Sequence, residues 1–131
     1  MALDGSDSSM RTVDYVARML TECDCEVVLA HVIRAEEEKA LKETGKKISP
    51  VFDIAKAHLI NCGIDSNQIS SKIISGALSR AGAIVREAKD GGYCTIVIGR
   101  RGMSKVREFV MGRVSNKVVQ LGRGKVVWVV N

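Results

Sequence analysis

Aromatic residues make up only 4% of this chain, and proline occurs once. So few aromatics leave little with which to stack bases, which argues against a single-stranded nucleic-acid platform. One proline and 12 glycines in 131 residues exclude a low-complexity or linker-rich polypeptide. Long hydrophobic runs are missing too. The longest, such as residues 126–130, fall far short of the ~18 apolar residues a membrane span requires. The opening M-A-L-D has no basic n-region and no apolar h-region, so neither a membrane partner nor a secretory signal is expected. Cysteine is sparse. Cys23 and Cys25 are too close for an easy disulfide, and Cys62 and Cys94 each lack the second nearby ligand of a zinc site. Reduced thiols in a cytoplasmic protein follow.

What remains is a globular composition, 46% apolar and 27% charged, enough for one domain spanning residues 1–131. The net charge of +5 is unevenly placed. Residues 99–125 hold eight basic side chains against the single acid Glu108, a local +7 that leaves −2 for the rest. The basic segment attracts anions, but with no aromatic interleaving and no helix-turn-helix pattern a nucleic-acid partner is not expected.

Hydrophobic periodicity organises the chain. After the turn-and-cap cluster D-G-S-D-S, Met10, Val13, Ala17 and Leu20 repeat at helical spacing and predict a helix over residues 8–22. Residues 25–33 read as a buried strand. The charge run from Glu36 to Glu43, with Glu38 and Lys42 at i,i+4, reads as a solvated helical turn or loop ending at Gly45. Ser49 and Pro50 suit an N-cap and a first helical turn. Ile54 and Ala57, with Ala55, Leu59 and Ile60, supply the apolar side of a helix stopping at Cys62-Gly63. Residues 68–75 form the next strand. Leu78, Ala81, Val85 and Ala88 mark a helix face ended by D-G-G, and residues 93–98 are the clearest buried strand in the chain. Val114, Val118 and Leu121 give a last helix before a final strand over residues 125–130. Strands alternating with helical crossovers predict an α/β fold, a doubly wound parallel sheet with helices on both faces. Its first strand has only Met1 to Leu3.

In such sheets ligands bind beyond the carboxyl ends of the strands, where the strand order reverses. Two loops there carry chemistry. One is Asp4-Gly5-Ser6. The other begins at Gly99 and runs G-x2-G-x9-G-x-x-S through Gly102 and Gly112 to Ser115. Gly99 and Gly102 permit close backbone approach and positive φ. Gly112 to Ser115 opens a helix whose free N–H groups favour an anion. Ser115 adds a hydroxyl, and Arg100, Arg101 and Arg113 add counter-charge. The competing explanation, a glycine-rich turn beside an ordinary basic surface, fits the spacing equally well. No nucleophile–base set or P-loop appears, His31 reads as a packed strand-end histidine, and no enzymatic turnover is expected.

These residues together resemble the universal stress protein family, the UspA-like domains, over essentially the whole chain. The family's ATP-binding members carry G-x2-G-x9-G-[S/T], matched by Gly99, Gly102 and Gly112, together with a first-loop aspartate matched by Asp4. H-V-I around Val32 matches the end of the family's second strand, and K-V-V-W-V-V its last. The resemblance implies a five-stranded sheet in the order 3-2-1-4-5. It also implies ATP with Mg²⁺ at the switch point: adenine near Ala2, Asp4 and Val32, ribose near Gly99, and phosphates against Gly102 and the backbone of Gly112, Arg113, Val114 and Ser115. A lone carboxylate, Asp4, would hold the metal only through water. Arg113 departs from the family's Ser or Thr. It can clasp phosphate or obstruct it, and obstruction would leave a protein acting through protein–protein contacts. A homodimer is expected through residues 125–130, from Lys125 to Val130. This is an apolar edge strand with Val126, Trp128 and Val130 on one face and Val127 and Val129 on the other.

Overall fold

Serine and aspartate open the first helix as their chemistry dictates. Gly5 adopts φ 82°, and Ser6 follows in an extended conformation, its hydroxyl accepting the Ser9 N–H at 3.2 Å. That cap starts helix α1 (Asp7–Met19), which buries Val13, Val16 and Ala17. The structure, a computed structural model, describes residues 1–20, 23–102 and 111–131, with side chains throughout except at 38–42. The expected end of the first helix at Glu22, the Glu38–Lys42 pair and most of the nine-residue spacer of the glycine motif, with Lys105 and Arg107, therefore fall outside it.

Strand β1 (Val27–Arg34) is buried along nearly its whole length, as a strand covered on both faces must be. A 3₁₀ turn (Ala35–Ala40) leads into α2 (Leu41–Asn61). Two expectations change here. Pro50 lies inside this helix rather than at its start. Its ring is on the solvent side, while Ile48, Phe52, Ala55 and Leu59 form a buried stripe spanning it. Burial along that stripe, worth roughly 1.5–3 kcal/mol for each large side chain, offsets the ~3 kcal/mol cost of an interior proline. The buried face is also a different one. Ile54 is 61% exposed and Ile60 39%, because Ile48 and Phe52 set the phase of the stripe.

Strand β2 (Ile69–Ala77) pairs in parallel with β1, from Val27 opposite Ile69 to Val32 opposite Ile74. Helix α3 (Arg80–Asp90), capped by Ser79, buries Ala81, Ile84, Val85 and Ala88. Leu78, expected on that face, precedes the cap and is 95% exposed. Strand β3 (Thr95–Gly99) pairs in parallel with β4 (Val126–Val130), and α4 (Arg113–Leu121) lies between them in sequence. Leu121, also expected on an apolar face, is exposed at the helix end.

Among the described residues the sheet consists of two parallel pairs, β1–β2 and β3–β4, rather than five formed strands. Met1 to Leu3 contributes isolated parallel bridges from Ala2 to Ala30 on one side and to Ile98 on the other. Three residues supply only a few rungs: Ala2 N–H to Val97 O at 2.9 Å, Leu3 N–H to Ala30 O at 2.8 Å, and Ala30 N–H to Met1 O at 2.8 Å. Helices cover both faces. One core joins Leu3, Leu29 and Val97 to α1 and α2. The other joins Val32, Ile96 and Ile98 to α3 and α4. Trp128 and Val130 pack toward the first core, Val127 and Val129 toward the second, as alternation requires.

Candidate functional site

At the carboxyl ends of β1 and β3, the place of the expected crevice, the loop from Asp4 to Ser6, the loop from Gly99 to Gly102 and the start of α4 meet. Asp4 Oδ1 accepts the Ser6 N–H at 3.0 Å and the Ser6 hydroxyl at 2.6 Å. An Asx-type turn of this kind holds the chain in place for the helix cap that follows. Across the crevice, a Cβ at Gly102 would stand 2.7 Å from Asp4 Oδ2. Gly102 and Asp4, almost a hundred positions apart in sequence, thus stand side by side in one wall.

The glycines of the motif make close contacts within the fold. A Cβ at Gly99 would lie 2.7 Å from Ser8 Oγ and 2.8 Å from Ser8 O. Gly99 therefore lets β3 seat against the first turn of α1. The expected positive φ is absent at Gly99 and at Gly102. Gly112 caps α4 with φ −59° and ψ 149°, ordinary extended backbone. Its N–H donates to Arg100 O at 2.9 Å, and the same carbonyl accepts the Ser115 hydroxyl at 2.8 Å. A Cβ at Gly112 would meet Arg100 O at 3.0 Å and Ser115 Oγ at 3.2 Å. Ser115 is 2% exposed, so its hydroxyl fastens the helix start to the loop.

Of the other expected residues, Arg100 directs its guanidinium to Asn131 Oδ1 at 3.2 Å, on the β4 side. Arg101 is half-buried and its N–H donates to Ser8 Oγ at 3.2 Å. Arg113 is exposed on the first turn of α4, and Val114 packs toward the second core. Val32 is buried in that same core and Ala2 is packed against it. Val32 thus offers the crevice its peptide groups, which alternation points to the same side as those of Ala30. His31 Nδ1 lies 2.7 Å from Leu3 O. A carbonyl only accepts, so this nitrogen carries a proton. Ser8 and Asn131 are the participants that sequence reasoning missed. The run S-D-S-S signalled a cap, but only the folded contact shows Ser8 serving the distant loop. Among the described residues no three His, Cys, Asp or Glu side chains gather to hold a metal ion.

Beside the end of β1, Glu37 accepts the Arg34 N–H and guanidinium, each at 3.1 Å, and the Arg80 guanidinium at 2.6 and 2.7 Å. The backbone bond from Arg34 leads these interactions in holding its carboxyl at about 2, down from 4.5. A depressed carboxylate stabilises the fold fully above its unfolded value and loses that contribution as pH falls through the folded one. Glu37→Gln is therefore expected to lower stability near neutrality, with the two acid-unfolding curves converging by about pH 2. A constant offset down to that pH would refute the assignment.

The crevice lies where open α/β folds bind ligands, with a helix start and basic side chains that suit an anion. This defines a doubly wound α/β class. The sequence profile of the universal stress protein family matches residues 1–129, and the chain belongs to that family. It is similar to universal stress protein YxiE of Bacillus subtilis, with 29% identity over an alignment 141 positions long, gaps included, that covers 92% of this chain and 90% of the relative. Among solved structures, a universal stress protein from Archaeoglobus fulgidus superposes with a TM-score of 0.80 at 18% identity, covering 99% of this chain and 90% of that one. A universal stress protein in complex with cAMP gives a TM-score of 0.75 at 21% identity, covering 100% and 93%. None of the helices among the described residues is long and apolar enough to cross a membrane.

Proposed function

We propose that this protein is a nucleotide-binding stress-response protein of the cytoplasm that holds ATP in the crevice as a ligand or signal, without catalytic turnover. The observation that carries the reading is the convergence of Asp4, Gly102 and the glycine-capped start of α4 on one anion-compatible wall. In this reading adenine lies by Ala2, Asp4 and the Val32 backbone, and ribose by the Gly99 backbone. The phosphates rest against Gly102 and the backbone from Gly112 to Ser115, with Arg100, Arg101 and Arg113 as counter-charge. Asp4 would reach Mg²⁺ through water, the metal serving to neutralise phosphate charge. The binding unit is one domain over residues 1–131, with strand order 3-2-1-4-5 and Met1 to Leu3 in the central place. Acid extraction and chromatography of the purified protein should recover adenine nucleotide. Steady ATP turnover on the order of 1 s⁻¹, typical of enzymes, would overturn the non-enzymatic reading.

A second reading has its own support. Arg113 stands where ATP-binding relatives of this type carry a hydroxyl, and Arg100 is engaged by Asn131. Both favour a protein that does not retain ATP and acts through protein contacts. Either reading includes a homodimer through residues 125–130, since β4 is paired on one side by β3 and its Val126 is 53% exposed. Light scattering at tens of micromolar is expected to give twice the 14.2 kDa chain mass; a monomer mass would count against the dimer.

A further inference from the structure

Cys23 and Cys25 lie in the connection from α1 to β1, at the end of the sheet away from the crevice, and both are unbridged thiols. In an extended chain, residues two apart are separated by roughly 7 Å, the limit over which a disulfide can form. That spacing is what makes a C-x-C pair look unfit for a bridge.

The folded connection is not extended. The Cys25 N–H donates to Cys23 O at 3.0 Å, a bond that closes a γ-turn around Asp24. No described residue other than glycine has positive φ, so the turn is of the common inverse form. Folding at Asp24 brings the two cysteine Cα atoms within about 6 Å, inside the roughly 4.4–6.8 Å that a disulfide spans. The turn is also fastened. The Cys23 N–H donates to Leu20 O at 3.1 Å beyond the end of α1, and Asp24 Oδ1 accepts the Gln68 side-chain amide at 2.7 Å.

The two sulfurs differ in character. Cys23 is exposed and Cys25 half-buried. The Cys25 thiol is pushed up from its ordinary value, first by burial, then by the charges of Cys23 and Asp24 and a side-chain hydrogen bond with Cys23. The side chains therefore meet, Cys25 keeps its proton, and Cys23 is the sulfur that a reagent reaches first. Cys94 stands apart. β1 and β3 lie on opposite sides of Ala2, two strand spacings or about 10 Å from each other. Cα atoms more than ~7 Å apart are not bridged without backbone movement.

We propose that Cys23 and Cys25 form a reversible dithiol–disulfide site whose oxidant is a hydroperoxide. The Cys23 thiolate attacks one peroxide oxygen and the O–O bond breaks. The departing oxygen takes up the proton that Cys23 released and leaves as water or an alcohol, with Cys23 now a sulfenic acid. The Cys25 sulfur then attacks the Cys23 sulfur. The S–S bond forms, the S–O bond breaks, and the oxygen leaves as water with the Cys25 proton. Two thiols have given two electrons to one peroxide bond. A disulfide with one exposed sulfur is open to attack by another thiol, which reverses the step.

The tryptic peptide of residues 19–34 contains both cysteines and no other, so the product is readable by mass. The intact protein is treated with stoichiometric hydrogen peroxide, blocked with iodoacetamide and digested. This peptide is expected to be lighter by two hydrogens and to escape alkylation, and reduced glutathione should restore two alkylatable thiols. In Cys25→Ser the reaction should stop at a Cys23 sulfenic acid, trapped by dimedone. Cys23→Ser should slow oxidation of Cys25 by at least about tenfold. Serine at both Cys62 and Cys94 should leave bond formation unchanged. Full alkylation of Cys23 and Cys25 after peroxide overturns the proposal. So do bridges from either to Cys62 or Cys94, accumulation of Cys23 sulfinic acid in place of the bridge, or undiminished oxidation of Cys25 in Cys23→Ser. The thiol map is read without nucleotide, so its failure is separate from a failure of nucleotide binding.

Discussion

Gly112→Val is expected to abolish nucleotide retention while leaving the fold intact. The backbone at Gly112 has φ −59° and ψ 149°, a conformation open to any residue, so the substitution strains no dihedral. The loss comes from space. A Cβ alone would sit 3.0 Å from Arg100 O and 3.2 Å from Ser115 Oγ. Valine's methyls would then separate the start of α4 from the 99–102 loop and occupy the approach to the helix N–H groups. Calorimetric titration with ATP and Mg²⁺ should show binding by the wild type and none by Gly112→Val. Arg113→Ser restores a hydroxyl at the exposed first residue of α4 and should bind as well as the wild type or better. If Arg113 instead occupies the phosphate position, the wild type will be silent and only Arg113→Ser will bind. Silence from both would exclude the nucleotide reading and leave the protein-contact alternative.

Leu59→Ala is expected to have the opposite profile, a large loss of stability with nucleotide retention preserved in the folded protein. Leu59 is fully buried with Val13, Val16 and Leu29 in the core between α1, α2 and β1. Truncation to alanine removes three buried carbons and leaves a cavity that rigid neighbours fill only in part. Losses at such sites run to about 2–5 kcal/mol. Chemical denaturation monitored through Trp128 and far-UV dichroism gives the value. A change below about 1 kcal/mol would mean that α2 is not fastened there. The two variants together separate the crevice from the core. Gly112→Val should remove ligand without greatly shifting the unfolding midpoint, and Leu59→Ala should do the reverse.

Several elements were legible because their signal is local. The runs V-V-L-A-H-V-I and T-I-V-I are buried on both faces, so continuous apolarity and β-branching mark them without knowledge of any partner. Ser6 and Ser79 cap α1 and α3 through bonds that span three residues. Helix faces were less legible. Ile54 and Leu78 looked like core residues, yet both lie outside it: Leu78 precedes the Ser79 cap, and Ile54 sits on a helix with apolar residues on more than one side, which is oriented by what packs against it. Pro50 looked like a start signal, and the buried stripe from Ile48 to Leu59 overrides it.

The same division runs through the crevice. Residue types at short spacing placed an anion-compatible helix start at Gly112 to Ser115 and a turn at Asp4, since both depend on neighbouring peptide groups. The tertiary structure alone decided that Gly99 packs against Ser8, that Asp4 closes on Gly102, and that Arg100 turns to Asn131. Each of these joins segments far apart in sequence, which no periodicity encodes. Sequence by itself thus determined the parallel α/β class and the chemical character of the loops. Which of those groups touch, and which are left to meet a ligand, was decided by how the helices and strands pack, because side-chain direction is a property of the assembled layers.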